Sequence, residues 1–287
     1  MMDGVLVVGA TGRQGGAVAR HLRARGVRVR ALARNPESAK ARALSAEGIE
    51  IVQGDLNRPD TLVAALSGVD GLFSVQNFWE KGVGYEGEVR QGRALLDAAK
   101  AAGTRHVVQS TIATQAGGTP IDVHHFRSKA EIDRHLKASG LPHTLVGTVW
   151  FMDNMLDPKL GPLTFPVLAG SLGPTTPFPM LAVDDIGAAV AVIFAAPESH
   201  LGQQRDLASE VLTLTQMRDA YRRVTGAAPK SWKLPNLVLR LLNKDFAAQL
   251  RWQERQPWEI SPATLSRLIS EPSTFEGFLR RHDVRGL

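Results

Sequence analysis

The chain contains no cysteine. That excludes a disulfide framework and any chemistry run through a thiol. No basic stretch, apolar segment and small-residue cleavage site open the sequence, so no secretory leader is expected. The longest apolar stretch, Ile186 to Ala196, is well short of the roughly 20 residues that span a bilayer. No repeat or low-complexity tract is present, and no DNA- or RNA-binding motif stands out. Metal binding is not expected either: His124 and His125 are adjacent, and no second cluster has ligand spacing. These absences leave a cytoplasmic protein without a nucleic-acid or membrane partner as the expectation.

What is present is apolar enough to fold. The 287 residues are 44% hydrophobic, enough for one large domain or two smaller ones. The net charge is +6, and Arg20, Arg23, Arg25, Arg28, Arg30 and Arg34 crowd one early stretch. Such charge fits a solvated helix face together with a site for an anionic ligand.

The strongest signal lies in the first sixteen residues. Val5-Leu6-Val7-Val8 has no polar position, as in a central strand buried on both faces. Gly9-Ala10-Thr11-Gly12-Arg13-Gln14-Gly15-Gly16 follows, then Ala17, Val18 and Leu22 at helical spacing. A glycine-rich turn between such a strand and a helix lets main chain approach a pyrophosphate, and the helix N-terminus supplies N–H groups and partial positive charge. The spacing is G-x-x-G-x-x-G, the form found in short-chain dehydrogenase/reductase relatives rather than the G-x-G-x-x-G form.

A second strand, Val27 to Leu32, ends at Ala33-Arg34-Asn35-Pro36. A NAD site normally has an acidic residue near here to hold the ribose 2′-hydroxyl. Arg34 stands there instead, and Arg13 sits in the glycine turn. Two guanidinium groups pair with a 2′-phosphate, whereas a carboxylate repels it. The expected cofactor is therefore NADP(H).

Further strands are expected at 49–52, 69–75, 106–109 and 144–149, separated by helices that include 86–102 and 126–139. This alternation predicts an α/β fold, a Rossmann-type doubly wound parallel sheet. Gly9, Arg34, Asp55, Asn77 and Ser110 fall at the carboxyl ends of strands, where open α/β sheets bind ligands. After Trp150 six prolines from Pro158 to Pro179 break up the pattern, and long helices are not expected there. The expected division is a dinucleotide-binding domain over 1–153, with a helix over 184–196 packing back on it, and a smaller C-terminal α/β substrate-side domain over 154–287. That half has a strand near 211–214 and helices near 216–224 and 236–250. Phe78, Trp79, Trp150 and Phe151 follow strand ends and suit either a flat apolar pocket or the core.

With GATGRQGG, ARNP after the second strand, GDL at 54–56, NFWE at 77–80 and HFRSKAEID at 125–133, the chain resembles the NmrA-like proteins, an atypical branch of the short-chain dehydrogenase/reductases. The resemblance implies that Gly9, Thr11, Gly12, Arg13 and Gln14 lie along the pyrophosphate. It implies that Arg34 holds the 2′-phosphate, that Asp55 and Leu56 edge the adenine, and that Asn77 sits beside the ribose. Lys129 matches the lysine that reaches the nicotinamide ribose, and Thr148 and Val149 match positions flanking the nicotinamide.

One position departs from the wider superfamily, which uses Tyr-x-x-x-Lys at i, i+4 on one helix face. Here the lysine's partner is His125. An imidazole beside an ammonium hydrogen-bonds but is a weak proton donor to a simple ketone. Two readings follow. In one, His125 or Ser110 orients a small conjugated carbonyl or quinone and NADPH reduces it, with Lys129, His125 and Ser110 as the catalytic set. In the other there is no chemistry: Lys129 holds NADP(H), and occupancy of the site governs a regulatory protein partner.

Overall fold

The computed structural model describes residues 2–114, 118–256, 258–282 and 284. The chain divides into two compact units with interleaved segments. The first comprises Met1–Ile112, Arg127–Gly147 and Ile186–Arg205; the second comprises Ala113–Phe126, Thr148–Asp185 and Asp206–Leu287.

Apolar β-formers and glycine-marked turns set up the first unit. Strand β1 (Gly4–Val7) is buried along its whole length. Helix α1 (Arg13–Ala24) follows, then β2 (Arg28–Ala33), α2 (Ala39–Ala46), β3 (Glu50–Gln53), α3 (Leu62–Leu66), β4 (Gly71–Ser74), α4 (Gly84–Ala101), β5 (His106–Ile112), α5 (His124–Ser139) and β6 (His143–Thr148). Strand β1 pairs in parallel with β2 and with β4, β2 pairs in parallel with β3, and β4 with β5. With β9 (Gln204–Asp206) the sheet has seven strands in the order β3-β2-β1-β4-β5-β6-β9. This is the α/β, Rossmann-type doubly wound architecture. The chain leaves β1 toward one edge and returns to build toward the other, so the order reverses between β1 and β4. Open α/β sheets bind ligands at such a point.

One side of the sheet is sealed by Leu62, Ala65 and Leu66 of α3, Leu95, Leu96 and Ala99 of α4, and Ile132 and Leu136 of α5. They pack with Leu6, Leu32, Leu72 and Val107 from the strands. Helix α4 approaches α5 closely because Gly92 lacks a side chain: a Cβ there would lie 2.6 Å from Ile132. The helix α7 (Val183–Ala195) packs on α1 by the same device, with the space at Gly187 already filled by Ala17 backbone and the His21 ring.

The second unit is built from shorter pieces, as its prolines require. Strands β7 (Trp150–Phe151), β8 (Phe178–Leu181) and β10 (Glu210–Leu212) form a small sheet in the order β10-β8-β7. Strand β8 runs antiparallel to β10 and parallel to β7. Helix α6 (Thr164–Ser171) has eight residues. Helix α8 (Leu214–Thr225) starts with a capping box from Thr213 and Gln216 and ends at Gly226 with φ +74°. These two rules fix both ends of an amphipathic helix. The pattern expected as one helix over 236–250 is two, α9 (Asn236–Leu242) and α10 (Lys244–Arg255). They break at Asn243, which is extended and accepts from the Phe246 N–H. Helices α11 (Ala263–Leu268) and α12 (Phe275–Arg281) complete the chain. Phe165, Phe178, Met217, Tyr221, Leu250, Phe275 and Phe278 form this unit's core.

The α7–α1 contact leaves Gly187 little tolerance for added volume. A Cβ there would stand 2.7 Å from Ala17 main-chain atoms, and main chain cannot swing aside as a side chain can. Gly187→Ala should destabilise the protein by about 1–3 kcal/mol, read as a lower urea midpoint with unchanged slope. An unaltered midpoint would show that the two helices separate at little cost.

Candidate functional site

The turn after β1 shows why three glycines are needed. Gly9 has φ +69°, a conformation that L side chains rarely adopt. Its carbonyl accepts from the Gly12 N–H at 2.8 Å, closing the turn. A Cβ on Gly15 would lie 2.4 Å from that same carbonyl group, so α1 begins in main-chain contact with the turn. No side chain caps α1, and its first turn contains no acidic residue. Uncapped N–H groups at a helix start suit an anion. Thr11 is half-buried, Gly12 and Arg13 are exposed, and Gln14 is half-buried.

Gln14 is tied to the sheet. Its Oε1 accepts from Ser110 Oγ at 2.8 Å. Ser110 lies inside β5, which runs on through Ile112, three residues beyond the expected end of that strand. The hydroxyl is buried, 2% exposed for the residue, and links β5 to the glycine turn. On the other side of β1, Arg34 is exposed just past β2 and forms an ion pair with Glu80. Asp55 Oδ1 accepts from the Asn57 N–H at 2.9 Å, and the Asp55 N–H donates to Thr61 Oγ1 at 3.1 Å. Leu56 is half-buried against the first unit's core. Asn77 is exposed, and its Oδ1 accepts from the Trp79 N–H at 3.2 Å.

Lys129 is the most firmly held of the candidate residues. Its Nζ donates to the Gln76 carbonyl at 3.0 Å and stands 3.0 Å from Glu88 Oε1. The second contact is an ion pair by distance rather than an aligned hydrogen bond. The Glu88 side chain is fully buried and also accepts from Ser128 Oγ. Neither Gln76 nor Glu88 was anticipated from sequence. Glu88 did leave a trace, because it falls on the buried stripe of α4 with Gln91, Gly92, Leu95, Leu96 and Ala99. A carboxylate on such a stripe demands a buried cation.

Asp133 was also not anticipated, although it sits one turn beyond Lys129 on α5. It accepts from Thr111 Oγ1 at 2.5 Å. Burial pushes its carboxyl up to about 6; the Thr111 hydroxyl and the Lys129 and Lys137 ammonium groups pull only partly the other way.

Three candidate residues belong to the second unit. Thr148 and Val149 are buried beside β7, and the Thr148 carbonyl accepts from the Ala113 N–H at 3.0 Å. His125 is the second residue of α5, which begins two positions earlier than the sequence pattern indicates. Its Nδ1 pairs with Asp245 of α10. Asp245 also accepts from the His124 N–H at 2.5 Å and the His125 N–H at 3.4 Å, so it caps α5 from outside. Burial would raise the Asp245 carboxyl, but the His125 ring and these N–H groups outweigh it and hold it below its ordinary value. Nothing in the local sequence signals a pair 120 residues apart. Of the aromatic candidates, Trp150 is buried against Phe178 at 5.4 Å, a core role. Trp79 is 52% exposed and meets Phe78 edge-on at 4.9 Å.

The sequence profile of the NmrA-like family matches residues 1–279. The chain belongs to the NmrA-like family. Among curated relatives, the NAD(P)H azoreductase of Xenophilus azovorans is 38% identical over 152 residues. That match spans 53% of this chain and about half, 50%, of the azoreductase's length. The NADPH complex of the Escherichia coli NADPH-dependent quinone oxidoreductase QOR2 superposes with a TM-score of 0.79 at 27% identity, covering 97% of this chain and 99% of that one. NmrA, a negative transcriptional regulator solved with NADP, superposes at 0.77 with 21% identity over 97% and 94% of the two chains. At that identity the likeness concerns fold alone. Among the described residues, no helix of this NmrA-like chain is long and apolar enough to cross a membrane.

The raised Asp133 carboxyl carries a pH signature. The folded state keeps the proton up to about pH 6, whereas an unfolded aspartate releases it near 4. Asp133 therefore disfavours the fold increasingly as pH rises from about 4 to 6, and fully above that. Asp133→Asn should remove this slope and raise stability at pH 7.5 by an amount on the order of 1–3 kcal/mol, while changing little at pH 4. Urea melts at the two pH values measure this; an equal change at both would contradict the assignment.

Proposed function

We propose that this NmrA-like protein is an NADP(H)-dependent reductase that passes hydride to a small, flat conjugated acceptor, a quinone or an enone. The observation that carries the choice of a reductase is His125. Its ring is clamped through Nδ1 by Asp245, on the helix that presents Lys129 one turn later. A protein that only senses a cofactor needs the lysine but no acid–base group. A ring whose Nδ1 rests on a carboxylate is oriented for proton transfer. The names of the azoreductase and the quinone oxidoreductase support an acceptor of this kind.

The residues fit the cofactor. Gly9 and Gly15 leave main chain bare where a pyrophosphate would approach, and the uncapped start of α1 favours its charge. Thr11, Gly12, Arg13 and Gln14 complete that cradle. Arg34 would exchange Glu80 for the 2′-phosphate, a doubly charged partner. Asp55 and Leu56 would border the adenine, Asn77 the adjoining ribose, and Thr148 and Val149 the nicotinamide. Lys129, already aimed by Glu88 and the Gln76 carbonyl, would hold the nicotinamide ribose hydroxyls.

When bound, NADPH would supply one hydride, NADP+ being the oxidised product. The acceptor takes that hydride and one proton, so a quinone becomes a hydroquinone. Ser110 or His125 would orient the acceptor, and the proton would come from His125 or water. Asp245 at Nδ1 fixes the orientation of the ring.

NADPH consumption should be measured with a panel of quinones and enones for wild type and Lys129→Ala. Turnover at least tenfold above the variant's is expected. Wild-type rates equal to the variant's with every acceptor, together with retained NADPH binding, would replace the reductase by an NADP(H)-responsive regulator.

The cofactor preference has a separate test by calorimetry. Charge-assisted bonds to a phosphate contribute about 1.5–3 kcal/mol. Arg34→Asp should therefore weaken NADP(H) roughly ten- to hundredfold and spare NAD(H), while Glu80→Gln should tighten NADP(H) a few-fold by releasing Arg34. Equal loss of both dinucleotides in Arg34→Asp would remove the 2′-phosphate from this residue.

A further inference from the structure

The segment from Lys230 to Lys244 has an unusual surface. Leu237 is 67% exposed, Leu241 81% and Leu242 68%, and Val238 and Trp232 are also exposed. Positions 237, 238, 241 and 242 recur at i, i+1, i+4 and i+5, so they share one face of α9. Leu239 points the other way and is buried in the second unit's core. Scattered exposed apolar residues are ordinary; a contiguous set on one helix face is not.

The charge around this face has one sign. Lys230, Lys233, Arg240 and Lys244 flank it, and no aspartate or glutamate occurs from Gly226 through Lys244. Lys233, Arg240 and Lys244 are exposed. An apolar helix face with a nearby tryptophan and a rim of cations matches the chemistry of a membrane surface that is apolar below its headgroups and anionic at them.

We propose that α9 and its flanks dock on the surface of an anionic phospholipid bilayer. The leucines enter the headgroup–acyl boundary, Trp232 lies at headgroup level, and the lysines and arginine meet lipid phosphates. Sequence alone argued against a membrane partner because no apolar run reaches spanning length. A segment lying in the interface needs no such length. Docking of this kind is reversible, since four aliphatic side chains and a few cations give modest affinity, and it weakens as salt screens the cations. It stands independently of the proposed reductase activity.

The full-length protein is mixed with phosphatidylglycerol-containing vesicles or with pure phosphatidylcholine vesicles, and the floated fraction is measured in low and high salt. Flotation with the anionic vesicles, much weaker with the neutral ones and reduced by salt, is expected. Lys233→Gln should lower the partition coefficient about fivefold, the effect of about 1 kcal/mol per cation. Leu237→Ser combined with Leu241→Ser should abolish flotation while circular dichroism and the urea midpoint stay close to wild type, because both side chains are already in solvent. No flotation with anionic vesicles overturns the proposal. So does a concentration-dependent dimer in light scattering that the paired serine variant dissolves, because the face would then be covered by a second copy.

Discussion

The contact on which the first unit depends is between main chain and main chain. The space a Gly15 Cβ would occupy is filled by the Gly9 carbonyl group, and Gly9 adopts positive φ to turn that carbonyl inward toward the Gly12 N–H. Together these draw the start of α1 against the end of β1. The helix N-terminus is brought to the sheet's carboxyl edge, where its N-cap, Gly12, offers no side-chain cap. A side chain at either glycine would push the helix away and close the space an anion would use. The geometry that makes a binding turn therefore also fixes how α1 lies on the sheet.

Legibility in the sequence followed the range of the interactions. The glycine turn, the alternation of strands and helices, and the amphipathic helices are written in neighbours a few residues apart, and they could be read. Strand β5 could be followed only to Gln109, because Ser110 and Thr111 look like a polar loop. They remain in the strand because each hydroxyl has a partner, Gln14 for Ser110 and Asp133 for Thr111. The break at Asn243 was missed for a different reason. The apolar periodicity continues across it, and only the capping bond to Phe246 reveals that a new helix begins.

The basic character reads differently once partners are visible. Arg30 pairs with Glu50 at 2.9 Å and donates to the carbonyls of Ala65 and Ser67, while Arg28 donates to the Gly68 carbonyl. Two of the six early arginines thus tie the outer strands to the α3–β4 turn. The exposed Arg34 pairs with the half-buried Glu80. A pair with this much solvent around it contributes little to stability. Net charge alone distinguishes none of these uses.

The same reasoning explains why α5 could be only half understood from its own residues. His125, Lys129 and Asp133 recur every fourth residue, which places them along one face. Read locally, an ammonium stands next to an imidazole, and the ring is a poor acid. Each of the three is in fact governed by a group distant in sequence: Asp245 for His125, Glu88 for Lys129, Thr111 for Asp133. Glu88 stands against the Lys129 ammonium, while Asp245 fixes the His125 ring through Nδ1. Residues a turn apart on α5 thus take their carboxylate partners from segments far away in the chain, and the residues of the helix alone leave those surroundings unread.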